Sequence, residues 1–353
     1  MGIWARFRGS RPGKATTESG RFPLVPGLVM QVTAHELSIT WGTLACWTFQ
    51  SEGLWAHGQK EMVLTIARRE GEGFEPMAAE VAKLLVTISR VAAEGQFVSI
   101  GGFTEFGDPL PRFASGGGPR GVGYLRAQDL PGISAPDDAL AVIPLVAGEV
   151  DAAKAFGLTR IAARLGRHYA FYPWPPWWDR DRPVLGVRDG DDSSVLGKVP
   201  HATIAGLFAS VEGQAGKFGS HLSIRILQSS NEIVARALAT VPPGASFAIV
   251  TEPDPGADAL MVWERSFTWP SAITPPGSMA RRLSTCFVMV VPGQSDDSMR
   301  AFEDGASLLL RSTSWERMRE ALTTGRPLTL SMSEGTSVSV ERVPAVYAGR
   351  SRA

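Results

Sequence analysis

Histidine, cysteine and paired carboxylates build most hydrolytic, redox and metal sites, so their spacing is read first. Five histidines occur, His35, His57, His168, His201 and His221, and none stands within metal-ligand spacing of another or of a cysteine. His35-Glu36 is followed by Leu37-Ser38-Ile39, without the second histidine of a zinc-protease helix. Neither C-x-x-C nor a G-x-S-x-G nucleophile elbow is present. His168, beside Tyr169, is the one histidine in an aromatic neighbourhood and reads as structural. Cys46 and Cys286 lie far apart inside apolar, strand-like runs, which predicts two buried free thiols and a reducing compartment. No catalytic, metal-ligating or cofactor-binding residue is assigned, and no cofactor is expected.

Three near misses fail on physical grounds. In Gly9-Ser10-Arg11-Pro12-Gly13-Lys14-Ala15-Thr16 three residues separate the glycines, Ala15 stands where a phosphate loop needs Ser or Thr, and no strand precedes it. Gly116, Gly118 and Gly121 spell G-x-G-x-x-G, but Pro119 interrupts it and a strand pattern, Val122 to Leu125, follows where a helix should begin. Asp189-Gly190-Asp191-Asp192-Ser193-Ser194 lacks the ligand alternation and twelfth-position Glu of a calcium loop, and reads as a solvated loop.

The densest feature is Phe171-Tyr172-Pro173-Trp174-Pro175-Pro176-Trp177-Trp178-Asp179-Arg180-Asp181-Arg182, three of the ten tryptophans and three prolines in twelve residues. Proline fixes φ, removes a backbone donor and pushes its predecessor toward extended geometry, so no regular helix or central strand can run through it. Two readings follow. The tryptophans fold back over a seam between two domains, or at least one stands exposed beside Arg180 and Arg182 and the patch binds a protein. Trp and Arg are enriched among interface hot spots, which makes Trp174, Trp177, Trp178, Asp179, Arg180 and Arg182 the candidate partner-binding residues. The sign-alternating run from Asp179 to Arg182 reads as a hydrated rim.

Length and composition bound the rest. A chain of 353 residues suits two domains. With 35 basic and 35 acidic residues the formal charge is zero, so no global pull toward nucleic acid or anionic membrane exists. No apolar run approaches the roughly 18 residues that span a bilayer, and no signal-peptide core follows the N-terminal arginines. A cytoplasmic protein with no nucleic-acid or membrane partner is expected. The predicted divisions are a disordered basic tail at 1–25, an α/β domain at 26–183, a second α+β domain of unassigned family at 184–343, and a C-terminal tail at 344–353. The fold class is α/β (α+β), two mixed-sheet domains joined by the Trp/Pro connector.

The elements that would position any site are read from periodicity. His35 to Phe49 predicts one or two strands broken at Gly42, and Lys60 to Arg68 alternates as a strand. Met77, Val81, Leu84, Leu85, Ile88 and Val91 form one helical stripe ended by Gly95. Strands at 123–127 and 140–146 and a helix from Glu149 to Leu165 follow. Beyond the connector, helices are expected at 202–211 and 232–239, strands at 222–227, 246–251, 260–264, 283–291, 306–310, 328–332 and 338–340. Thr313-Ser314-Trp315-Glu316 has the form of a capping box ahead of a helix that stops at Gly325.

The order of parts between about residues 55 and 182 resembles the Suppressor of fused domain, especially its bacterial members. The strand Gln59 to Ile66, the helix at 77–94, the Gly-rich loop, the strand Ala139 to Leu145 and the acid-led helix from Glu149 carry the resemblance, with Gly148-Glu149-Val150, Phe156-Gly157, Pro173-Trp174 and Asp179. The resemblance implies a mixed α/β domain without catalytic machinery that binds another protein. For the bacterial members it implies an immunity protein that neutralises a toxin. Pro175-Pro176 and Trp177-Trp178 match no part of that pattern. The alternatives are a hydrolase or transferase whose site gathers in a cleft between the two domains, with acids or His168 pointing inward, and an assembly component that self-associates through the Trp/Pro stretch. The oligomeric state is left open.

Overall fold

The structure is a computed structural model that describes residues 19–39, 41–107, 118–130, 133–146, 148–185, 195–214, 217–263, 271–275 and 279–348. The phosphate-loop look-alike at 9–16, the acidic run at 189–194 and Gly116 lie outside them. Mixed sheets with helices confirm the α/β class. The chain forms two compact units, one of residues 1–150 with 176–184, the other of 151–175 with 185–353.

The first unit is a seven-stranded sheet in the order β1-β2-β3-β4-β7-β6-β5. β1 (Ser19–Val25), β2 (Leu28–Ile39), β3 (Gly42–Glu52) and β4 (Met62–Ala67) form an antiparallel meander, because short turns join them and register is fixed by which face is apolar. Residues 19–25 were expected in the disordered tail. They are an edge strand instead, since a tight turn at Gly27, φ 82°, folds them back onto β2. α1 (Glu75–Ala93) packs on β1, β2 and β3 and buries Met77, Val81, Leu84, Leu85 and Ile88, as the stripe required. Each such side chain contributes roughly 1.5–3 kcal/mol when fully withdrawn from water. β5 (Phe103–Glu105), β6 (Gly121–Arg126) and β7 (Leu140–Leu145) complete the sheet, with β7 parallel to β4 over two residues only.

The helix expected at 149–165 is two, α2 (Glu149–Phe156) and α3 (Leu158–Tyr169). Gly157, at φ 81°, breaks it, and a Cβ there would come within 2.5 Å of Val250.

The second unit is an eleven-stranded sheet built around β8 (His201–Gln214), where a helix was expected over 202–211. Ile204, Leu207, Phe208 and Val211 do follow helical spacing. The strand accommodates them through Gly206, φ 75°, which inserts an irregular step so that Ile204 and Leu207 both face the core. Residues 201–203 before Gly206, and Phe208 after a register shift, pair in parallel with β10 (Phe247–Glu252). From Leu207 on, the strand also pairs antiparallel with β9 (Lys217–Leu227) and, over 210–212, with β13 (Arg282–Ser284). One branch continues through β14 (Phe287–Val291), β16 (Gly305–Leu309) and β15 (Ser298–Phe302), another through β11 (Ala259–Val262) and β12 (Ser271–Ile273), and a third from β9 to β18 (Ser337–Val343) and β17 (Leu328–Ser331). α4 (Asn231–Ala239) and α5 (Ser312–Thr324) close the core with Val234, Leu238, Trp315, Met318 and Leu322. The capping box before α5 is not used. Asp297 replaces it, accepting from the Arg311 amide at 2.8 Å and the Ser314 hydroxyl at 2.6 Å. Burial pushes its carboxyl up, but these bonds and the Arg311 charge hold it below the usual range.

Candidate functional site

The residues expected to bind a partner are not exposed. Trp174, Trp177 and Trp178 are 4–5% accessible, Arg180 and Arg182 are buried, Asp179 is half-buried, and only Asp181 of that run faces solvent. The expectation of a tryptophan exposed beside the arginines, and of a hydrated rim at Arg180 and Arg182, is corrected. The physical reason is that the stretch, although barred from helix, still satisfies its backbone by sheet pairing. The Trp178 amide donates to Thr65 O at 2.8 Å and its carbonyl accepts from the Ala67 amide at 2.9 Å, on the part of β4 that β7 leaves open. That pairing carries the arginines inward with alternating direction. Arg180 forks onto Glu72, one arm at 2.6 Å, and donates to Ala67 O at 3.3 Å. Arg182 forks onto Glu149, one arm at 2.6 Å, and donates to Pro144 O at 3.1 Å. Bidentate guanidinium–carboxylate geometry is what permits such charges inside.

The histidines are structural or exposed. His35 Nε2 meets Thr48 Oγ1 at 2.7 Å, Thr48 in turn meets Thr65 at 2.7 Å, and burial lowers the imidazole pKa. His221 sits between Ser337 at 2.8 Å and Ser339 at 3.0 Å. His168, expected inward for a hydrolytic site, is exposed with its ring edge-on to Tyr169. Among the described residues no group of three or more His, Cys, Asp or Glu side chains could hold a metal. Both cysteines are free and buried. Burial pushes both thiols far up, with the Asp304 charge adding to it at Cys286, so neither supplies a thiolate.

What the fold does present is an aromatic corner of the first unit. Gly53, φ 116°, and Gly58, φ 80°, bracket a single 3-10 turn, Leu54–His57. Leu54 is fully buried and anchors the turn, while Trp55 is 72% exposed and Phe97 55%. The Phe97 ring lies against Gly58, where an added Cβ would be 3.4 Å from it. Two side chains hold the corner rigid. Glu61 accepts from the Gly53 amide at 2.8 Å, the Trp55 amide at 3.3 Å and the Ser51 hydroxyl at 2.5 Å. Buried Gln59 clamps the backbone of Val98, accepting from its amide at 2.9 Å and donating to its carbonyl at 3.3 Å. An exposed indole on a pinned turn loses little entropy on binding, the property that makes Trp a frequent anchor. Sequence reasoning missed Trp55 and Phe97. The signal available was Gly-Leu-Trp-Ala-His-Gly, a glycine-bracketed turn too short to hide its tryptophan.

No family model matches the chain, and no curated protein matches its sequence. Among solved structures the chain is similar to the crystal structure of Drosophila Suppressor of Fused, with 8% identity, a TM-score of 0.37 and 88% of each chain covered. No helix of the described residues is long and apolar enough to cross a membrane.

Proposed function

We propose that this chain is a non-enzymatic protein-binding protein whose first unit engages its partner through the corner formed by Trp55 and Phe97. The observation that carries the reading is the exposure of Trp55 on a turn fixed by Glu61, because a 72% exposed indole costs solvation and gains nothing inside the fold. The partner is a protein offering an apolar recess. That the partner is a toxin which this chain neutralises rests on the order of elements between residues 55 and 182 alone.

The test is affinity capture with the wild-type chain beside Trp55→Ala/Phe97→Ala, each checked for folding by circular dichroism. A protein held by the first and lost by the second supports the reading, and equal capture by both removes it. Co-expression with a toxin encoded beside this gene tests the finer claim, with restored growth expected for the wild type and not for the double variant.

A further inference from the structure

The face of the second unit's sheet opposite its apolar core carries a self-contained arrangement that the protein-binding corner does not use. β-strand alternation puts Phe208 and Ser210 of β8, Ser223 and Arg225 of β9 and Glu341 of β18 on that face. Residues after β18, expected as a tail, fold into a 3-10 turn, Ala345–Tyr347, and set Tyr347 down on it. The Tyr347 ring packs on Phe208 with centroids 5.6 Å apart and under the Arg225 guanidinium at 5.7 Å. Its hydroxyl donates to Asp254 Oδ1. Asp254 is 1% exposed and accepts from Arg225 at 2.7 Å and from the Gly256 amide at 2.8 Å.

Gly256 is the telling residue. Its backbone is not left-handed, so conformation does not demand glycine. A Cβ there would stand 2.5 Å from the Tyr347 hydroxyl and 3.2 Å from Asp254 Oδ1. The missing methyl is the space the phenol oxygen occupies.

We propose that Phe208, Arg225, Asp254 and Gly256 form a binding socket for a phenol side chain, filled in cis by Tyr347 as a displaceable plug, and open to a tyrosine presented by a partner polypeptide when the plug lifts. The plug is carried by a three-residue 3-10 turn, Ala345–Tyr347, and not by a strand of the sheet. Its apolar contacts are the satellite cluster of Phe208, Leu227, Val343 and Ala348, separate from the main core, and its neighbour Val346 is 65% exposed. With the plug out, Asp254 keeps Arg225 and the Gly256 amide, so the vacated carboxylate remains paired and the open state is not penalised by an isolated buried charge. Burial, and then the Asp254 carboxylate beside it, push the Tyr347 phenol well up, so an occupant donates as a neutral hydroxyl throughout the neutral range.

The experiment uses full-length Tyr347→Ala with p-cresol, toluene and a synthetic peptide of residues 344–353 as probes. At concentrations well above its Kd, p-cresol is expected to raise the Tm of this variant by about 2 °C or more and to leave the wild type unchanged. Toluene should do less, and the peptide should bind the variant while its Tyr→Phe form binds at least tenfold more weakly. Equal responses to p-cresol and toluene, or none to either, would overturn the socket. Gly256→Ala supplies an independent reading that does not depend on Tyr347→Ala folding well. It should eject the plug and speed amide hydrogen exchange across residues 345–348 several-fold with the sheet intact, and unchanged protection would sink the proposal.

Discussion

Two aromatic regions of the first unit use the same residue types to opposite ends. Trp177 and Trp178 sit in the most conspicuous stretch of the chain and are buried. Trp55 sits in a short turn and is 72% exposed. The difference lies in what each backbone does. The Trp/Pro stretch joins the open part of β4 and brings Arg180 to the half-buried Glu72 and Arg182 to the buried Glu149, so it is consumed by the fold. The 53–58 turn closes on itself through Gly53, Gly58 and Glu61, leaving no free edge to pack and one ring outside. A cluster of hot-spot residue types therefore says less about binding than whether the local backbone is already satisfied.

The contrast can be broken most severely at the buried end. Arg182→Ala takes the guanidinium from Glu149, a carboxylate with no exposed side-chain surface that keeps the Val146 amide at 3.0 Å, and is expected to cost about 3–5 kcal/mol in urea unfolding. A cost below about 1 kcal/mol would mean that the pair is not buried in solution. At the exposed end Trp55→Ala should lower affinity for the captured partner by about 2 kcal/mol, some thirtyfold by calorimetry, and shift stability by no more than about 0.5 kcal/mol. Loss of stability without loss of affinity would reverse the assignment of the two regions. Gly58→Ala places a Cβ at φ 80° and at 3.4 Å from Phe97, and should cost about 1–2 kcal/mol while loosening the corner. Hydrogen exchange at the Trp55 amide reads that loosening directly.

The smallest effect is a pH dependence at Glu72. Burial raises its carboxyl, and the hydrogen bonds and charge of Arg180 overrule that and hold it below the ordinary value of 4.5. A carboxylate lowered on folding contributes stability that is present above the unfolded value and lost as pH falls through the folded one. The Tm of the wild type should therefore drop more steeply than that of Glu72→Gln below pH 4.5. Parallel profiles would show the pair to be solvated.

Much of the first unit was legible. The stripe from Met77 to Val91 gives α1, and the alternation from Lys60 to Arg68 gives β4, because each element buries one face and period alone reports it. The helix expected at 202–211 failed for a definite reason. Spacing of apolar residues cannot distinguish a helix from a strand whose register is shifted by one glycine, and Gly206 is that glycine. The candidate site failed differently. Whether Trp177 or Trp55 is outside depends on which strand edge is vacant, and the vacancy on β4 exists only because β7 pairs with two of its residues.

What the amino-acid order settled by itself is local: which segments must be helical or extended, where glycine and proline forbid continuation, and that both thiols belong inside. These follow from sterics and from the side-chain periods of 3.6 and 2, which act within a few residues. Tertiary structure alone decided that Trp177 and Trp178 are buried, which arginines are paired, and that the 345–347 turn lays Tyr347 against Asp254. Those outcomes depend on pairing between segments 33 to more than 100 residues apart, Arg182 with Glu149, Tyr347 with Asp254 and Arg180 with Glu72 among them, and no local rule reaches that far.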